Sequence, residues 1–478
     1  MNKQELISKL IEQKRDTFIT VSDKIWETPE IYFEEHQSAK YLCQALETEG
    51  FQVEKGIAGL ETGFVASFGM GKPVVAILGE YDALTGLSQK KGMVTNDPII
   101  SGGHGHGCGH NLLGAGALAA AVAIKDYMQQ TGLKGTVKYF GCPAEEAGSG
   151  KAYLARAGLF EDVDFALSWH PATIPGIMNI SSLANYSVRF QFHGKSAHAA
   201  AAPHLGRSAL DAVELMNVGV NYMREHMISE ARIHYAITNA GGISPNVVQP
   251  YAEVVYLIRA PKKQQVKELY DRVYDIARGA ALMTGTTMET VFEGTASNLV
   301  PNTVLAKVMH KNLVAVGVPA YDEEDQQFAK KIQESLSAED LRTALAGVDK
   351  ETAKQLKDKT IADVIAPLPA YEFTLSGSTD VGDVSWVVPT MQCMTTCWAL
   401  GTPFHTWQVV SQGAMPIAHK GMLQAGKVMA STAIEALENP ELIEQAKAEW
   451  QERLEGEAYT SLIPDDIHPP KKAQEPVL

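Results

Sequence analysis

No segment of this 478-residue chain stays apolar long enough to cross a bilayer. The longest uninterrupted apolar or glycine run, Leu112–Ile124, holds 13 residues, against the ~20 that a spanning helix needs. Cysteine is scarce. The five residues, at 43, 108, 142, 393 and 397, follow no disulfide-framework spacing, and their odd count fits a reducing compartment. Positive charge is short as well, with Lys+Arg 41 against Asp+Glu 56 for a net −15 and no basic stripe, so nucleic acid is excluded as a partner. The opening residues MNKQELISKLIEQKR contain no apolar core of a secretory signal. Internal repeats and low-complexity tracts are missing too. A soluble cytoplasmic protein with no membrane partner is expected. Its length and 45% apolar content predict two or three domains with sizeable cores.

What is present alternates. Residues 2–18 and 34–50 have helical periodicity, while Pro73–Gly79, Gly135–Cys142 and Phe165–Trp169 read as buried strands. That alternation predicts an α/β fold with a mostly parallel, doubly wound sheet, whose sites gather at the carboxyl ends of strands. Residues 185–298 change character. Strand patterns at Tyr186–His193, Ile233–Asn239, Ala252–Arg259 and Thr286–Gly294 are interleaved with amphipathic helices at Gly206–Met227 and Lys263–Met283. The order βαββαβ predicts an inserted ferredoxin-like unit. Residues 320–365 read as a charged, solvated helical excursion, Thr390–Gly401 as an apolar strand, and the Pro-rich end from Pro464 as a loose tail.

The chemistry concentrates in His106-Gly107-Cys108-Gly109-His110-Asn111, directly ahead of the apolar run. Such glycine density predicts a tight loop between a strand end and a helix start. Its thiol and imidazoles suit zinc or a related divalent metal. Glu145 and Glu146 are adjacent in CPAEEAGSG, after a predicted strand. Consecutive loop side chains point in different directions, so one can bind metal while the other faces substrate as a general base. His170 and His405 also close predicted strands, as does Asp82. Any of these alone would read as a rim histidine or surface acid. Together, Cys108, His110, Glu146, His170 and His405 supply five ligands, enough for two ions with positions open to water.

This set resembles the dinuclear metallopeptidases that include aminoacylases and glutamate carboxypeptidases, whose branch acting on N-acyl amino acids carries a His-x-Cys-Gly-His-Asp loop and a Pro-Ala-Glu-Glu loop. The resemblance covers nearly the whole chain through HGCGHNLLG, GISPNVVQ, GSTDVGDVSW and GTPFHTWQ. It departs at Asn111, where the family has Asp. The resemblance implies metal ligation by Cys108, His110, Glu146, His170 and His405, with Glu145 as the base and Asp82 orienting a ligand. It further implies that His198 polarises the scissile carbonyl, typically across the interface between subunits, and that Asn246 and Arg259 grip the substrate carboxylate. Two divalent ions per subunit follow, manganese or zinc.

The implied activity is cleavage of the amide in an N-acyl or N-aroyl amino acid, with p-aminobenzoyl-glutamate the leading substrate. The rivals are a dipeptidase acting on β-alanyl-type dipeptides and a subunit that works only with a partner chain. The expected domains are a catalytic domain in two parts (residues 1–183 and 299–463) and a lid and dimerisation domain at 184–298, before the tail at 464–478. A homodimer, or a heterodimer with a related chain, is expected.

Overall fold

The computed structural model describes residues 2–369 and 372–470; the end of the predicted loose tail, 471–478, lies outside them. The strands run in chain order β1 (Gln52–Lys55), β2 (Phe64–Met70), β3 (Val74–Glu80), β4 (Gly135–Cys142), β5 (Phe165–Ala172), β6 (Gly176–Ile177), β7 (Ser181–Ser182), β8 (Ala184–His193), β9 (Arg232–Asn239), β10 (Tyr251–Ala260), β11 (Thr287–Ala296), β12 (Thr374–Leu375) and β13 (Thr390–Thr396). Seven of them form the main sheet, in the order β1-β2-β4-β3-β5-β13-β6. Its four central strands, β4, β3, β5 and β13, are parallel, whereas the edge pairings β1–β2, β2–β4 and β6–β13 are antiparallel.

β3 shows why the sheet is covered on both faces. Every residue of Val74–Glu80 is buried. Val75 and Ile77 join the cluster containing the helix His110–Thr131, while Val74, Ala76 and Leu78 join the opposite cluster with Ala152 and Leu154 of the helix Gly150–Arg156. Central parallel strands buried on both sides read as continuous apolar runs rather than alternating ones. The helix His110–Thr131 is apolar all round for the same reason, lying between the sheet and the helices Arg15–Glu27 and Pro416–Glu438.

Residues 184–296 form a second sheet, β11-β8-β10-β9, antiparallel throughout. The helices Ala209–Met223 and Lys263–Thr284 contribute to its separate core, in which Val188, Phe190, Val213, Met216, Val254 and Val273 are buried. The chain enters and leaves this unit side by side, since Asn185 pairs with Ala296 and the Leu299 N–H donates to Ser182 Oγ (3.0 Å).

Three sequence expectations change. The first helix does not run through residue 18. It ends at Glu12, and a second helix, Arg15–Glu27, begins after a short break. The apolar strand before His405 stops at Thr396, and residues 397–405 continue as turns. The charged excursion is helical at Glu323–Gln333, Ala338–Ala346 and Lys350–Leu356, but its apolar side is packed rather than solvated. Ala329 and Ile332 lie against Ala399 and Ile417, and Leu356 and Ala362 lie against Leu400.

Candidate metal centre and active site

The site is assembled where β3, β4 and β5 end. Asp82 follows β3 by two residues and is buried. A long, mostly irregular segment then intervenes before His106, so the Cys108 loop does not follow a strand directly as its glycine pattern predicts. His110 is the first residue of its helix, capped by Gly109 at φ +77°. A Cβ at Gly109 would sit 2.7 Å from the Trp398 ring, so glycine is required there by both backbone and space.

The imidazoles are oriented by what their second nitrogens touch. His110 Nδ1–H donates to Asp82 Oδ1 (2.8 Å), leaving Nε2 to face the site. His170 Nδ1–H donates to the Pro171 carbonyl (2.7 Å), and its Nε2 lies 3.4 Å from Cys108 Sγ. His405 Nε2 lies 3.4 Å from Glu146 Oε2. Asp82 Oδ2 accepts the Glu146 backbone N–H (2.9 Å), so one carboxylate positions two candidate ligands. His405 has φ +60° and donates its own N–H to the Gly107 carbonyl (2.9 Å), which ties the two loops together.

Ligand-capable atoms converge in three groups, each within 4.8 Å: Cys108, His110 and His170; Cys108, Glu146 and His405; and Glu80, His110 and Glu145. The donors fit a divalent ion. His110 Nε2 and Glu146 Oε1 are buried without a hydrogen-bond partner, a costly state for polar atoms unless something polar or charged meets them. His110 Nε2 does face Glu80 Oε2 at 3.3 Å, but without hydrogen-bond geometry.

The ionisable groups of the cluster perturb one another strongly. Burial, then the neighbouring carboxylates Glu80, Glu146 and Asp380, push the Glu145 carboxyl well above the usual range. Burial and the His110 charge bring His170 down to about 4, leaving a neutral imidazole, the form that ligates metal. Burial alone would raise the Asp82 carboxyl. The charge and hydrogen bond of His110, with the Glu146 N–H and Lys151, instead hold it below the ordinary value.

Sequence reasoning missed one part of this centre. Lys151 Nζ, fully buried, lies 2.6 Å from both Glu80 Oε1 and Asp380 Oδ1, and its backbone N–H donates to Asp380 Oδ2 (2.8 Å). The lysine closes the CPAEEAGSGK loop string, but nothing in that string marks its partners. Asn111, where an Asp is expected, donates to Ser22 Oγ (3.1 Å) and the Gly413 carbonyl (2.9 Å), so it fastens the helix start. His106 meets the Ile25 carbonyl (3.0 Å), an anchoring contact.

Three predicted residues stand apart. His198 is exposed, bridged to Val247, and the Ala199 N–H donates to the Asn246 carbonyl (3.0 Å), so His198 and Asn246 share one exposed corner of the second sheet. Arg259 lies toward the other end of β10, where Nη1 donates to Ser378 Oγ (3.0 Å), two residues from Asp380. Arg259 lies eight positions beyond Tyr251 on β10, roughly 26 Å at ~3.3 Å per residue.

The model of the family described as Peptidase family M20/M25/M40 matches residues 76–349. The chain is 48% identical over 470 residues to a subunit of p-aminobenzoyl-glutamate hydrolase from Escherichia coli (strain K12), covering 97% of this chain and 98% of that one. It is 30% identical over 462 residues to Xaa-Arg dipeptidase of Mus musculus, covering 94% and 92%. In fold it is similar to a dinuclear metal binding peptidase from the M20 family of Bacillus subtilis, with a TM-score of 0.53, 18% identity and coverage of 91% and 99%. The chain therefore belongs to peptidase family M20/M25/M40 and is a hydrolase acting on amide bonds.

Proposed function

We propose that the chain is a metal-dependent amidohydrolase that cleaves p-aminobenzoyl-glutamate into p-aminobenzoate and glutamate. The observation that carries the metal requirement is the convergence of Cys108, His110, Glu146, His170 and His405 around buried, unpartnered donor atoms. The substrate rests on the relative that matches nearly end to end and bears that substrate in its name. In this reading Cys108, His110 and His170 hold one ion and Cys108, Glu146 and His405 the other, manganese or zinc. When bound, the ions polarise the scissile carbonyl and lower the pKa of a water.

Glu145 takes the proton of the attacking water and passes it to the leaving amine. Lys151 holds Glu80 beside this group, and Asp82 keeps His110 and Glu146 in place. Arg259 serves the site of its own chain, near Ser378, as half of a carboxylate grip, for which its guanidinium fork is suited. His198 and Asn246, about a strand's length away, serve the site of a partner.

The domains in this reading are a catalytic body, 1–183 and 299–463, and a ferredoxin-like lid and dimerisation unit at 184–298. The outer edge of β9 carries the exposed Tyr235 and Ile237, with Ile243 fully exposed beside it, a surface suited to a second copy or a related chain. Among the described residues no helix is long and apolar enough to cross a membrane, and a cytoplasmic setting is part of the proposal.

The test is turnover by metal-reconstituted protein on p-aminobenzoyl-glutamate, N-acyl amino acids and dipeptides. The highest kcat/KM is expected on p-aminobenzoyl-glutamate. Preference for Xaa-Arg or β-alanyl dipeptides, which the 30% identity to a dipeptidase keeps in view, would overturn it.

A further inference from the structure

The ligand groups are enclosed on most sides. Cys108, His110 and Glu146 are buried, and the opening lies at His405, whose side chain is 54% exposed. The residue before it, Phe404, is 46% exposed, and its ring is held at fixed angles. It packs edge-on against His170 (5.4 Å between centroids, 74°) and against the buried Trp398 (5.5 Å, 84°). A lone exposed phenylalanine elsewhere on a surface would mean nothing. This one touches a candidate metal ligand and is clamped by a second aromatic that also packs beneath Gly109.

The surroundings are apolar too. Leu84 and Leu87, both partly exposed, press against Gly107, where any Cβ would strike Leu87 and approach the His405 backbone. The mouth of the site therefore has a rigid aromatic plate and two leucines on the side of the metal loops.

We propose that Phe404 recognises the acyl side of the substrate, stacking on an aromatic acyl ring and so selecting aroyl over small aliphatic acyl groups. This rests on the amidohydrolase reading above and adds the residue that sets acyl specificity. An aromatic plate held by two edge contacts loses little freedom on binding, and offset stacking favours a second ring over a methyl group.

The test uses the full-length, metal-loaded protein and the variants Phe404→Leu and Phe404→Ala. Expected is a fall of about tenfold in kcat/KM for p-aminobenzoyl-glutamate, while N-acetyl-glutamate changes by less than about threefold. Binding of p-aminobenzoate, read by calorimetry, should weaken about tenfold in both variants with bound metal and melting temperature unchanged. An equal fall for both substrates, or unchanged p-aminobenzoate binding, overturns the proposal, as does a loss explained by dissociation of the oligomer in sedimentation. If the wild type hydrolyses neither substrate, the function reading fails. The binding measurement still decides the role of Phe404.

Discussion

Asp82 grips His110 through one carboxylate oxygen, 2.8 Å from Nδ1, while its other oxygen takes the backbone N–H of the candidate ligand Glu146 (2.9 Å). The ring face that the metal would meet is thus set by a residue that need not touch the metal. Asp82→Asn should weaken metal affinity about 10- to 100-fold, the usual cost of losing such a partner. Competition with a chelating dye measures it, and unchanged affinity would remove Asp82 from the site.

Cys108 belongs to two of the convergent ligand groups, whereas His170 and His405 belong to one each. Elemental analysis should find about two ions per wild-type chain, about one in His170→Ala or His405→Ala, and close to none in Cys108→Ser. Chelation should abolish turnover. Full activity in a verified metal-free sample would falsify the metal requirement.

Glu145 is partly buried, feels the charges of Glu80, Glu146 and Asp380, and belongs to neither Cys108 group. Glu145→Gln should retain both metal and substrate while turnover falls by roughly two to four orders of magnitude. If the variant instead loses metal, the roles of Glu145 and Glu146 are exchanged.

His198 and Arg259 lie toward opposite ends of the second sheet. Mixing inactive Glu145→Gln chains with inactive His198→Ala chains should restore activity, to about a quarter of wild type for random dimers with one intact site per hybrid. No recovery in mixtures shown to exchange subunits would assign His198 to its own chain.

Lys263 opens the helix Lys263–Thr284 at the base of the second unit, with Nζ 3.9 Å from the Trp386 ring centroid. Burial lowers its amine from 10.5 to about 8, only partly opposed by Asp383 and Glu457. Between these two values the unfolded chain binds more protons than the folded one, so stability rises with pH from 8 towards 10.5. Denaturation midpoints of wild type should climb across that window relative to Lys263→Met. Parallel curves would show that the amine is not perturbed.

The candidate ligand loops were legible in the sequence alone, because Gly-rich turns with dense His, Cys and Glu are local patterns. So were the central strands, because residues buried on both faces must all be apolar, as in Val74–Leu78. The strand and helix order of residues 184–296 was legible in the same way, from periods of two and 3.6 residues. What periodicity cannot encode is which distant side chains meet. Glu80, Lys151 and Asp380 are separated by 71 and 229 residues, and nothing local marks them as one buried ion network. The break after Glu12 and the packed side of the 320–365 helices were equally hidden, since each depends on the surface presented by other elements. Tertiary structure also decided that Asn111 fastens a helix to Gly413 and that Phe404 stands beside His170. The reason is the same in each case: burial fixes a residue's chemistry, and burial is set by the whole fold rather than by neighbours in sequence.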